Sequence, residues 1–121
     1  MYKIIFYKNA RGEEPVLEYI KDLSEQENKE ARIKLKKIVS YIDVLSKNGT
    51  AAGFPYIKHL EGEIWELRPA RDRILFAAYV NNSFILLHSF VKKTQKTPRR
   101  ELIKAISELD EYKERDENNG I

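Results

Sequence analysis

Residues 73–91 read RILFAAYVNNSFILLHSFV, and the fold turns on this stretch. Two apolar runs rich in β-branched and aromatic residues, Arg73–Val80 and Ser83–Val91, flank the pair Asn81-Asn82. Asparagine tolerates positive φ, so this pair predicts a tight antiparallel hairpin. Working upstream, Ile64-Trp65-Glu66-Leu67-Arg68 reads as another strand, entered through a Glu61-Gly62 turn from a short strand over Tyr56–Leu60. Gly53-Phe54-Pro55 is a loop by its turn chemistry. At the other end of the chain, Tyr2–Tyr7 (YKIIFY) has the composition of a strand.

The remaining segments have helical period. Pro15 follows Glu13-Glu14, placing proline in a first turn and acids at the positive end of the dipole, and Val16, Leu17, Ile20 and Leu23 keep helical spacing. Ser24-Glu25-Gln26-Glu27 matches a capping box. It predicts a long second helix with Ala31, Leu35, Ile38, Ile42 and Leu45 on one stripe, ended by Asn48-Gly49. Lys29, Arg32, Lys36 and Lys37 occupy its other face. Thr97-Pro98 reads as an N-cap and first-turn proline for a last helix that buries Leu102, Ala105, Ile106 and Leu109. The expected fold is α+β: an N-terminal strand and two helices, then an antiparallel meander of three to four strands and a C-terminal helix. The helices are expected mainly on one sheet face, and 114–121 as a frayed tail.

At 121 residues with 42% hydrophobic content, the chain suits one domain, 1–121, with a single core. No apolar run reaches the ~20 residues a membrane helix needs, and no export signal is evident, so the expectation is a cytoplasmic protein. Cysteine is absent, which excludes disulfides and thiol chemistry, and His59 and His88 are the only imidazoles. Neither a metal nor a cofactor is expected.

Charge is unevenly distributed. Residues 67–104 carry 9 basic and 2 acidic residues, a balance of +7, whereas 105–121 carry 2 basic and 6 acidic, a balance of −4. A positive block of this density suits a polyanion. Within it, Lys92-Lys93-Thr94-Gln95-Lys96-Thr97-Pro98-Arg99-Arg100 has five basic residues in nine. Arg68, Arg71 and Arg73 bracket the turn before the hairpin, and Lys58-His59 lies just upstream. In a meander, Arg73 and Phe90–Lys92 fall at the same sheet end. Arg99 and Arg100 stand in the first turn of the last helix, where the dipole disfavours cations but would favour a bound phosphate. Structural alternatives remain open: the arginines can be ion-paired to Glu63, Glu66 or Asp72, and His88 reads as a buried, hydrogen-bonded histidine among Phe84, Leu86 and Phe90.

The stretch from Lys58 through Ala105 resembles the phage Gp49-like, HigB-type branch of the RelE/ParE toxin superfamily. The resemblance rests on Gly62-Glu63-Ile64-Trp65-Glu66-Leu67-Arg68, Asp72-Arg73-Ile74-Leu75-Phe76 and Phe90-Val91-Lys92-Lys93-Thr94-Gln95-Lys96-Thr97-Pro98. It implies a RelE-like domain and a type II toxin, a ribosome-dependent mRNA endoribonuclease. The partners it implies are mRNA on the ribosome, a helix-turn-helix antitoxin of HigA type, and operator DNA bound through the antitoxin complex. The implied cleavage is metal-free, by attack of the ribose 2′-OH on the adjacent phosphate.

By motif position the resemblance makes Arg68 and Arg73 phosphate clamps in catalysis and Lys93 or Lys96 the proton-transfer group. Lys58, Arg71, Phe90, Lys92, Arg99 and Arg100 would hold flanking RNA. The best-known RelE members carry lysines where this chain has Ile64 and Glu66, and their final-segment tyrosine has no counterpart here. Glu66 and His59 therefore stay open as general bases. Two other functions stay open as well, a ParE-like gyrase-directed toxin and a non-catalytic RNA-binding or interaction module.

Overall fold

The computed structural model describes residues 1–119. The chain runs β1 (Lys3–Phe6), α1 (Pro15–Glu25), α2 (Lys29–Asn48), a short 3-10 turn (Gly49–Ala52), β2 (Ile57–Glu61), β3 (Ile64–Leu67), β4 (Asp72–Tyr79), β5 (Ser83–Val91) and α3 (Arg99–Asn119). This is the α+β order expected from the sequence, with a four-strand meander. The hairpin forms as read: Asn81 and Asn82 both adopt positive φ, at 58° and 55°. Among the described residues no helix is long and apolar enough to cross a membrane.

The sheet itself departs from expectation. Its order is β1-β5-β4-β3-β2, and β1 lies parallel to β5, pairing Lys3–Phe6 with Ser83–Leu86, so the sheet is mixed. Nor are the helices confined mainly to one face. Ile74, Phe76, Phe84 and Leu86 pack with Val16, Leu23, Ile38 and Leu45 of α1 and α2. Leu75, Ala77, Ile85 and Leu87 pack with Leu102, Ala105 and Leu109 of α3. The central strands are apolar at both alternations, and such strands need cover on both faces. Each fully buried Leu, Ile or Phe contributes roughly 1.5–3 kcal/mol.

Local details also correct the reading. The capping box at 24–27 does not form, because α1 continues to Glu25 and the Ser24 hydroxyl donates to the Lys21 carbonyl. Asn28 caps α2 instead, accepting from the Ala31 N–H at 2.8 Å. Gly49 ends that helix with φ 60°, and a Cβ there would lie 2.8 Å from the Tyr2 ring, so both conformation and contact require glycine. The expected frayed tail is helical as far as Asn119, with Arg115 ion-paired to Glu111 and donating to the Lys8 carbonyl. Residues 120 and 121 of that expected tail lie outside the described residues.

A bulge in β4–β5 rearranges one face. Leu75 pairs with His88 while Phe76 pairs with Leu86, so Leu87 is the extra residue. Phe84 and Leu86 point to the α1/α2 core, yet Leu87 and His88 both turn toward α3. His88 is hydrogen-bonded, as expected, but to Glu101 of α3 at 2.8 Å and not among Phe84 and Leu86.

Candidate functional site

The β3–β4 turn and the segment leaving β5 are fastened together at one end of the sheet. The Asp72 N–H donates to the Pro69 carbonyl at 3.0 Å, closing the turn, and Ala70 takes φ 56°. The Lys92 N–H donates to the Arg71 carbonyl at 2.8 Å, and Arg73 pairs with Phe90 in register. The proximity of Arg73 to Phe90–Lys92 expected from the meander is therefore present. Asp72, 2% exposed, anchors this end to the helical layer: it accepts from the Tyr19 hydroxyl at 2.6 Å and lies 3.6 Å from Lys34 Nζ.

Glu66 is the centre of the arrangement. It is 1% exposed, with Arg68 Nε at 3.5 Å and Arg73 Nε at 3.8 Å from its Oε1. The Thr97 hydroxyl donates to its other oxygen, and that contact replaces the N-cap expected of Thr97. The first turn of α3 instead closes on the Pro98 carbonyl, which accepts from the Glu101 and Leu102 N–H groups. Arg73 Nη1 donates to the Ala70 and Asp72 carbonyls at 2.6 and 2.9 Å, fixing the guanidinium plane. The Nε atoms of Arg68 and Arg73 are buried and find no hydrogen-bond partner among the described residues. Two guanidinium groups thus share one carboxylate, a local balance of +1.

An open cleft of about 420 Å³ lies beside this cluster, walled by Arg71, Arg73, Lys92, Lys93 and Gln95. Burial pulls the Lys92 ammonium below the ordinary lysine value, and the neighbouring Arg73, Arg68 and Lys58 charges add to the effect against Glu66. Burial likewise lowers Arg73, with Glu66 opposing it. Planar guanidinium groups match phosphate geometry, so this end of the sheet is suited to anionic oxygens.

The structure gathers Arg68, Arg71, Arg73, Lys92 and Lys93 at this end. Lys58 stands opposite Glu66 on β2, exposed. Phe90 packs partly into the α3-side core, its ring 6.0 Å from His88, and also lines a smaller cleft with Lys93 and Arg100. Lys96 is exposed on the loop before α3, its carbonyl accepting from Thr94. Arg99 is drawn to Glu61 at 2.7 Å, while Arg100, its side chain 81% exposed, lies 4.0 Å from Glu101. His59 stacks edge-on against Trp65 and bonds the Gly62 carbonyl, on the face opposite Glu66. Glu66 was legible as one of three ion-pair options and, through the resemblance, as an open choice of general base, and Tyr19 and Lys34 carried no sequence signal beyond helical spacing. Phe54, in the loop before β2, was missed outright.

No curated protein matches the chain. A family model does, over residues 18–110, which takes in Arg68, Arg73, Lys92, Lys93 and Arg100 together with the Tyr19–Asp72 anchor. The chain belongs to the phage-derived Gp49-like protein family (DUF891).

Proposed function

We propose that this protein is the toxin of a type II toxin–antitoxin system in the RelE/ParE superfamily, an endoribonuclease that cuts mRNA on the ribosome. The observation that supports this most is the pair of guanidinium groups, Arg68 and Arg73, held around buried Glu66 beside Lys92, which burial and the neighbouring cations pull below the ordinary lysine value. Membership of the phage-derived Gp49-like family is compatible with such a toxin.

In the proposed reaction the 2′-OH gives up its proton, its oxygen bonds to the adjacent phosphorus, and the P–O5′ bond breaks. The products are a 2′,3′-cyclic phosphate and a 5′-OH, which takes up a proton. Lys92, Lys93 and Lys96 are the candidates for moving these protons, one accepting from the 2′-OH and another supplying the 5′ oxygen. Arg68 and Arg73 hold the non-bridging oxygens as negative charge builds in the transition state. Lys58, Arg71 and Arg100 hold flanking phosphates. A helix-turn-helix antitoxin of HigA type would silence the toxin by covering the basic end, and the complex would bind operator DNA. Action in the cytoplasm follows from the proposed target.

The test is induction in cells with mapping of mRNA 5′ ends, paired with single-turnover cleavage on programmed ribosomes. New 5′-OH ends that vanish with Arg73→Ala are expected. Growth arrest with intact mRNA and inhibited DNA supercoiling would favour a gyrase-directed toxin instead.

A further inference from the structure

Arg73 and Ala70 line a second opening besides the cleft at Lys92, a cleft of about 310 Å³ on the α2 side. Its other walls are Lys37, Tyr41, Phe54, Pro55 and Arg68. Phe54 is 80% exposed, a large aromatic outside both cores. The Arg68 guanidinium sits over its ring, 5.4 Å from the centroid, while Lys37 lies 5.3 Å from the centroid of Tyr41. Three cations and an open aromatic face therefore surround one recess that shares its wall with the candidate phosphate site.

We propose that Phe54 is the stacking platform for a nucleobase of single-stranded RNA, one nucleotide away from the phosphate held by Arg73. This inference rests on the RNA-cleaving reading above and extends it to the path of the substrate. Binding of single strands combines a positive groove that tracks phosphates with aromatic faces on which bases stack, and the recess has both parts. The Arg68 guanidinium, tethered from below by Glu66, covers part of the ring and can also lie against the inserted base. A protein hot spot would call for a complementary apolar surround, whereas the polar walls here are Lys37, Arg68 and Arg73.

The test uses ribosomes programmed with mRNA carrying 2′-O-methyl groups across the A-site codon, so that cleavage is blocked, and 2-aminopurine at one position at a time. Binding of the wild-type protein is expected to quench one position. Phe54→Ala should abolish that quenching and weaken association roughly 5- to 150-fold, the usual range for losing one stacked base. Phe54→Leu should behave like alanine, and Phe54→Trp like wild type. Phe54 is exposed, so each variant should fold, and circular dichroism checks this. Quenching unchanged in Phe54→Ala, full retention in Phe54→Leu, or quenching at no position overturns the proposal. So does a Phe54→Ala protein that binds ribosomes normally but loses a partner protein. Unmodified mRNA separates the two readings: cleavage with Phe54-independent quenching overturns the platform alone, and Phe54-dependent quenching without cleavage overturns the endonuclease alone.

Discussion

Glu66 and Glu108 are both buried, 1% and 7% exposed, on opposite margins of the layer between sheet and α3, and their surroundings differ. Glu66 has Arg68, Arg73 and the Thr97 hydroxyl about it. Glu108 has an Oε1 with no hydrogen-bond partner among the described residues, and burial pushes its carboxyl up to about 7, with Glu111 adding and Lys104 opposing. Taking a carboxylate out of water is tolerated in two ways, by pairing it or by protonating it. The first way builds a charged cluster at the cleft. The second makes the opposite margin sensitive to pH.

The sharpest break in this contrast is to remove the paired carboxylate. Glu66→Ala leaves two guanidinium groups facing each other without their anion, and should cost about 3–5 kcal/mol of stability in denaturant titration. Glu66→Gln, which keeps an acceptor for Thr97, should cost less. A Glu66→Ala protein as stable as wild type would show that the long contacts of 3.5 and 3.8 Å carry no cohesion.

Next in size is the proposed catalytic role of the same cluster. Arg73→Ala should lower single-turnover cleavage by roughly 10²–10³-fold with ribosome association nearly intact, and Arg73→Lys should restore little. Equal losses of rate and binding would assign Arg73 to binding alone.

Glu108 supplies the third measurement, through the pH dependence of stability. A raised folded value means the native state keeps its proton longer than the unfolded chain does. The Glu108 contribution to stability should be greatest below about 4.5, fall as pH rises from there to about 7, and level off above. The expected loss is about 3 kcal/mol. Glu108→Gln should remove that share of the slope and exceed wild type in stability at pH 8 but not at pH 4.5. A difference between the two proteins that does not vary with pH would refute the assignment. The smallest effect belongs to an exposed cation: Arg100→Gln should make the salt dependence of ribosome binding shallower by about one unit.

The fold was largely legible because periodicity reports burial. The hairpin, the apolar stripe of α2 and the proximity of Arg73 to Phe90 all follow from spacing and turn chemistry. What escaped depended on partners distant in sequence. Ser24-Glu25 has the letters of a capping box but sits inside α1, because nothing after Leu23 stops that helix before Gln26. The strand β1 could be recognised but not its parallel place beside β5, which tertiary packing decides. The bulge at Leu87 leaves no mark in a run of apolar residues, so alternation assigned His88 to the wrong face. In the site, cations were legible as a charge block. Asp72 was legible only as a possible partner of the arginines and not as the anchor to Tyr19 and Lys34, and Phe54 only as a loop residue, since neither lies in a periodic pattern.

The place of β1 has a consequence during synthesis. Its partners, Ser83–Leu86, emerge 80 residues after Lys3, so at ~5–20 residues per second the strand waits roughly 4–16 seconds for a neighbour. The meander from β2 to β5 closes through sequence neighbours and needs no such delay. Through that interval Ile4, Ile5 and Phe6 form an unpaired apolar edge on a nascent chain crowded among others like it. Lys3 and Lys8 bracket the edge with charge on both sides, which discourages pairing between nascent chains until β5 arrives.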